Sequence, residues 1–153
     1  MDTRGVSPVI GVVSLLAVTV TLAGVVGAGA LSFAPPAAPA QATFDVSADA
    51  AQDTISVTHA GGDTLDAGSL AVNIRIDDEP LRHQPPVPFV GARGFRGAPS
   101  GPFNRADDGV WTAGETATLR LAGTNAPLVE SGSTVEIRIY AGETLVVVAE
   151  TTA

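Results

Sequence analysis

The sequence predicts an N-terminal apolar α-helix of transmembrane length, followed by an all-β antiparallel domain, an Ig-like sandwich or else a barrel. Three observations predict it. No charged residue stands between Arg4 and Asp45, and the run from Val6 to Phe33 is apolar on every face. From Phe44 onward the apolar period becomes two, the repeat of a half-buried strand. Clusters of Gly, Asp, Asn and Pro then punctuate the chain at short intervals, as turns between antiparallel strands do.

The helix, residues 6–33, reads VSPVIGVVSLLAVTVTLAGVVGAGALSF. It spans roughly 40 Å at the helical rise, enough to cross a bilayer with some tilt. Apolarity all round excludes an amphipathic surface helix. Pro8 falls in the first turn, where a missing N–H costs little, and Ser7 just before it is placed to act as N-cap. Thr19 and Thr21 can bond back to the preceding turn. Ala23 with Gly27, and Gly24 with Ala28, have the small-xxx-small spacing that lets membrane helices approach closely; membrane-helix composition alone also supplies such letters. Arg4, partly offset by Asp2, is the nearby base, and no positive charge follows the helix closely. The N-terminus is therefore expected inside and the acidic domain outside. Three fates stay open for this segment on hydropathy alone: removal by a cut at the far side, near GAGALS; retention as an uncut anchor; or use as a filament helix. The first fits poorly, because a secretory signal peptide has an apolar region of about 7–15 residues.

APPAAPAQAT, residues 34–43, ends the helix. Pro35 and Pro36 cannot continue it and Pro39 keeps the chain extended, so a semi-rigid spacer is expected. The domain proper is expected over residues 44–153. Phe44, Val46 and Ala48 alternate with polar neighbours, as do Ile55 and Val57. Leu70, Val72, Ile74 and Ile76 form the clearest run, followed by Leu119 and Leu121, then Val135, Ile137 and Ile139, then TLVVVAE. Between them stand AGGD, DDEP, ADDG, GTNAP and YAGET, giving six or seven short strands.

Residues 80–105 do not alternate and read as a long loop, a class of segment that is often functional. Arg82, Arg93, Arg96 and Arg105 lie there beside Phe89, Phe95 and Phe103. Two uses follow: a contact surface with Arg and aromatic anchors, or a solvated loop with its phenylalanines tucked onto the sandwich. The second is the simpler. His59, Asp63 and Asp66 in HAGGDTLD could suggest a metal site, but a strand end followed by a turn is the better account of them, and no metal is expected. Asp77, Asp78 and Glu79 form an acidic turn without a second set of calcium ligands. Trp111 reads as a core anchor. No Ser–His–Asp order, phosphate-binding Gly loop or Asn-x-Ser/Thr sequon stands out, so no catalytic residue, cofactor or enzyme activity is expected.

The 153 residues carry 16 acids against eight bases, all arginine, for a net charge of −8. Acidity without a basic stripe argues against nucleic acid as partner. The absence of lysine beside the acid excess suggests a surface adapted to high salt, kept soluble by hydrated carboxylates. With no cysteine, disulfides, thiol-bound metals and a lipid-modified cysteine anchor are excluded.

RGVSPVIGVV, residues 4–13, together with AVTVTLAGVVGA, closely resembles the N-terminal region of archaeal type IV pilins, haloarchaeal ones above all. The resemblance covers about residues 4–32 and rests on a base and a small residue ahead of the Ser7–Pro8–Val9–Ile10–Gly11 start. Bacterial-type pilins have a glutamate early in the helix; Ile10 stands there instead, as archaeal pilins commonly allow. THAGGDTL and the tryptophan ahead of a strand also resemble segments of haloarchaeal pilin-like domains. What the resemblance implies is a class III signal peptide, residues 1–5, cut by a prepilin peptidase between Gly5 and Val6 with Arg4 at the inner membrane surface. It further implies a pilin-type sandwich, polymerisation through the retained helix with copies of itself or other pilins, an assembly machinery, and a cell-surface filament with a role in adhesion. The alternative is a monomeric, membrane-anchored extracellular binding domain.

Overall fold

The computed structural model describes residues 6–31 and 40–153, in two compact units: a helix and a β-domain. The expected signal peptide, the end of the apolar run at Ser32 and Phe33, and the expected spacer through Pro39 lie outside the described residues. The helix α1 runs Val6–Leu31. It is already helical at Val6, so Ser7 stands inside the first turn. Pro8 remains within that turn, where backbone N–H groups lack intrahelical acceptors. At the other boundary the first strand begins at Ala42, inside the expected spacer.

Nine strands build the β-domain among the described residues. Six are long: β1 (Ala42–Asp49), β2 (Thr54–Gly62), β4 (Leu70–Ile76), β7 (Thr116–Arg120), β8 (Thr134–Ala141) and β9 (Thr144–Thr152). Three are two-residue pieces: β3 (Leu65–Asp66), β5 (Glu79–Pro80) and β6 (Val110–Trp111). One sheet has the order β1-β2-β7, the other β5-β4-β8-β9, and β3 pairs with β6 beside them; every pairing between strands is antiparallel. Alternation sets what each face does. Ile55, Val57, Ala117 and Leu119 from the first sheet join Val72, Ile74, Ile76, Val135, Ile137 and Ile139 from the second in one core. Along one side β1 lies near β9.

The turns explain the acidic letters between strands. Asp77 and Asp78 have φ of 50° and 65°, the two left-handed positions of a type I′ hairpin turn between β4 and β5. The Asp77 carboxylate accepts from Ser133 Oγ (2.9 Å) and from the Thr134 N–H (2.8 Å), tying this hairpin to the start of β8. Gly62, at φ 108°, leaves room for Gln41: a Cβ there would lie 2.3 Å from the Gln41 carbonyl oxygen. That closeness permits a clamp where the chain enters the domain. The Asp63 N–H donates to Gln41 O (2.8 Å), and the Gln41 N–H donates to Asp63 Oδ2 (3.0 Å).

Two amides shape the long loop. Gln84 docks on the open edge of β4, accepting from the Ile74 N–H (2.7 Å) and donating to Ile74 O (2.9 Å), as a neighbouring strand would. Asn125, 3% exposed, accepts from the His83 and Ala126 N–H groups and donates to His83 O and Gly94 O. Asn125→Ala is expected to lower the unfolding free energy by about 2–3 kcal/mol, since buried backbone groups lose partners. Chemical denaturation measures it; a loss under about 0.5 kcal/mol would mean that the phenylalanines alone hold the loop.

Candidate functional site

The feature with the strongest functional meaning is α1 itself. Its 26 residues give a rod of roughly 39 Å, and Pro8–Ala30 reaches a mean hydropathy of 2.5. Every side chain from Pro8 to Ala30 is exposed, and among the large apolar ones exposure runs from 58% at Val18 to 72% at Leu15. A rod apolar on every face, of this length, is consistent with membrane anchoring. Thr19 Oγ donates to Leu15 O (2.8 Å) and Thr21 Oγ to Ala17 O (2.7 Å), so neither hydroxyl requires an outside partner. At Gly11, Gly24, Gly27 and Gly29 an added Cβ would meet nothing within 4 Å beyond the adjoining residues and the helix's own backbone. Ala23 and Gly27 lie one turn apart, as do Gly24 and Ala28, and each pair makes a shallow place on the rod. Val9, Ile10 and Gly11 belong to this rod; Arg4 and Gly5 lie outside the described residues.

The other sequence-derived candidates resolve into structural roles. His59 is fully buried, with its ring packed against Phe44 (5.0 Å) and Trp111 (6.1 Å). Its Nε2 bonds the Asp63 carbonyl oxygen at 3.0 Å, while Nδ1 has no partner among the described residues. The Asp63 side chain belongs to the entry clamp, and Asp66 caps a single 3-10 turn by accepting from the Gly68 N–H (2.9 Å). The three residues thus share a neighbourhood without pointing their ligand atoms at one centre; no metal-type cluster occurs among the described residues. Trp111 is at 0% exposure, between Phe44 (4.7 Å) and Phe103 (5.0 Å), and its Nε1–H donates to Glu115 O (3.2 Å).

In the long loop Phe89, Phe95 and Phe103 are buried, and Arg82, Arg93, Arg96 and Arg105 are exposed. The aromatic rings are therefore core, and an aromatic-anchored contact surface is not what this loop builds. Arg96 pairs with Asp53 (3.5 Å), and Arg105 donates to Pro88 O (3.4 Å). On the outer face of the second sheet Glu136 lies between Arg138 (2.9 Å) and Arg75 (3.8 Å). The hydrogen bonds that Arg138 donates to Glu136, and the charge of that carboxylate, raise the pKa of the guanidinium above its ordinary value. Sequence reading passed over Arg120, which ends β7 and lines a hollow with Arg96. The signal was an arginine on the outward period of a strand flanked by hydroxyl residues.

Comparison with known proteins adds two findings. A family model described as "Archaeal Type IV pilin, N-terminal" matches residues 4–44, from the expected processing site through α1 into β1. An uncharacterized protein of Archaeoglobus fulgidus is 34% identical over 132 residues, covering 85% of this chain and 82% of that protein. The second match extends the likeness well beyond the helix into the β-domain.

Proposed function

The chain belongs to the archaeal type IV pilins, and on that premise we propose that it is a structural subunit of a type IV pilus-like cell-surface filament with a role in adhesion. The observation that carries the reading is the rod Pro8–Ala30, apolar and exposed on all sides, within the segment that matches the family. Such a rod rests in the bilayer before assembly, and in a filament its copies exchange lipid contacts for helix contacts. Ala23, Gly24, Gly27 and Ala28 are the places where backbones approach most closely. Residues 1–5 form a class III signal peptide, and a prepilin peptidase cuts between Gly5 and Val6 on the cytoplasmic side. Cutting ahead of the helix frees its end while keeping the whole apolar surface. The partners are copies of the chain or other pilins and the assembly machinery.

In this reading the β-domain faces outside, in keeping with Arg4 at the inner end of the helix and no base soon after it. Its acidic, lysine-free surface suits a salt-rich medium, where hydrated carboxylates maintain solubility. Its role is structural rather than enzymatic.

N-terminal mass analysis of the cell-surface protein tests the reading. The expected mature chain starts at Val6 and is recovered with sheared filaments. A chain starting at Met1 and remaining in the membrane would instead identify a monomeric anchored domain. A start beyond residue 28 would identify a far-side cleavage and remove the filament reading altogether.

A further inference from the structure

We propose that a hollow at one end of the β1-β2-β7 sheet binds an oxyanion, a sulfate or carboxylate carried on a sugar polymer. The hollow has a volume of about 320 Å³ and is lined by Arg96, Ala98, Ser100, Thr118 and Arg120. It arises from a mismatch in chain length. The segment Phe95–Ser100 runs along the edge of β7 that β2 leaves open, fastened by the Arg96 N–H to Arg120 O (2.8 Å) and the Ser100 N–H to Thr118 O (2.9 Å). Five residues, 96–100, thus cover the span of three, 118–120, and the extra length of 97–99 arches away from β7.

Arg96 and Arg120 both line this hollow, and neighbouring like charges repel. Asp53 meets one of them, at 3.5 Å from Arg96. Arg120 is exposed and has no ion-pair or side-chain hydrogen-bond partner among the described residues. A second positive charge is therefore left for an anion, and a guanidinium bonds oxyanions with paired N–H groups. The local charge is also opposite to that of the whole chain: residues 81–125 hold five arginines (82, 93, 96, 105, 120) and three acids (107, 108, 115), or +2 on a chain of −8.

The surroundings favour a sugar over an acidic protein surface. Ser100 and Thr118 bring hydroxyls to the rim. Next to them, Ser56 pairs with Thr118 (3.1 Å) and Thr58 with Thr116 (2.8 Å), making a hydroxyl face that continues away from the arginines. Hydroxyls that both donate and accept match the alternating donors and acceptors of a saccharide. The position is apt as well. Arg120 pairs with Thr54, at the opposite end of β2 from Gly62, which pairs with Ala42 where the chain enters the domain. The inference does not depend on polymerisation and holds for a filament or a monomer.

The test uses the full chain in detergent, binding to dextran sulfate, polygalacturonate and neutral dextran as probes. Binding to either charged polymer but not to neutral dextran is expected, and the polymer that binds names the group. Arg96→Ala and Arg120→Ala should each weaken it about tenfold. Arg82→Ala and Arg105→Ala remove the same charge elsewhere and should change it by less than about twofold. Arg120→Gln keeps much of the side-chain stem and repeats the test if the alanine variant fails to fold, as judged by the near-ultraviolet signal of Trp111. Equal losses in all four arginine variants, equal binding of neutral dextran, or no binding at all would overturn the proposal. So would polyglutamate binding more tightly than both polymers, which would assign the hollow to an acidic protein partner.

Discussion

Gly5→Phe is expected to leave the chain at full length in the membrane and to abolish its recovery in filaments. A peptidase that cuts after a residue must bring that residue's flanks against its catalytic groups, and glycine offers no side chain to obstruct the approach. Phenylalanine at this position adds a ring beside the scissile bond while altering neither the charge at Arg4 nor the apolar run from Val6. Membrane insertion should therefore persist, because the hydropathy that drives it is untouched. Immunoblotting of membrane and sheared fractions reads the result. The uncut form should account for nearly all of the protein, in a shift of five residues at the N-terminus. Normal filaments from this variant would show that residues 1–5 are not the processed segment.

Trp111→Ala carries the largest expected effect on the β-domain itself. The indole is fully buried among Phe44, His59 and Phe103, and it donates to Glu115 O. Truncation removes that hydrogen bond and opens a cavity that rigid neighbours on β1, β2 and a 3-10 turn cannot fill. The expected loss is about 3–5 kcal/mol, the range for deleting a large core aromatic. Since folded domains hold a total stability of roughly 5–15 kcal/mol, the variant should melt far earlier and accumulate poorly. Chemical denaturation followed by circular dichroism measures it, and Trp111→Phe should recover part of the loss. A change below about 1 kcal/mol would show that the aromatic cluster is not the centre of the core.

Much of this architecture is legible in the sequence because period is a local property. Leu70, Val72, Ile74 and Ile76 declare a strand and its buried face, and the uncharged run after Arg4 declares a membrane-length helix. Alternation, however, says which way a side chain faces and nothing about which strand lies beside it. The order β5-β4-β8-β9 depends on pairings between residues far apart in the chain. The loop is opaque for a related reason. Gln84 and Asn125 look like ordinary turn letters, yet each fixes its segment through bonds to distant or edge backbone groups. Ser7 shows how loosely a capping letter fixes a boundary, since the helix runs from Val6. The hollow was hidden most completely, since it exists only where residue 96 meets residue 120.

The entry clamp between Gln41 and Asp63 has a mechanical meaning. A chain that is anchored through its helix and held at the Arg120 end of the sheet is stretched between the two ends of β2. Tension then runs parallel to β1 and β2, whose pairing extends from Ala42 opposite Gly62 to Asp49 opposite Thr54 with one bulge between Thr43 and Phe44. Loaded this way, the hydrogen bonds of the ladder share the force and must yield together, whereas a pull across the strands would part them one after another. The two bonds of the clamp stand at the first point where force enters and keep the leading end of β1 from peeling. A domain wired in this direction behaves as a stiff link under drag, and the weak element in such a tether is the ligand contact rather than the fold.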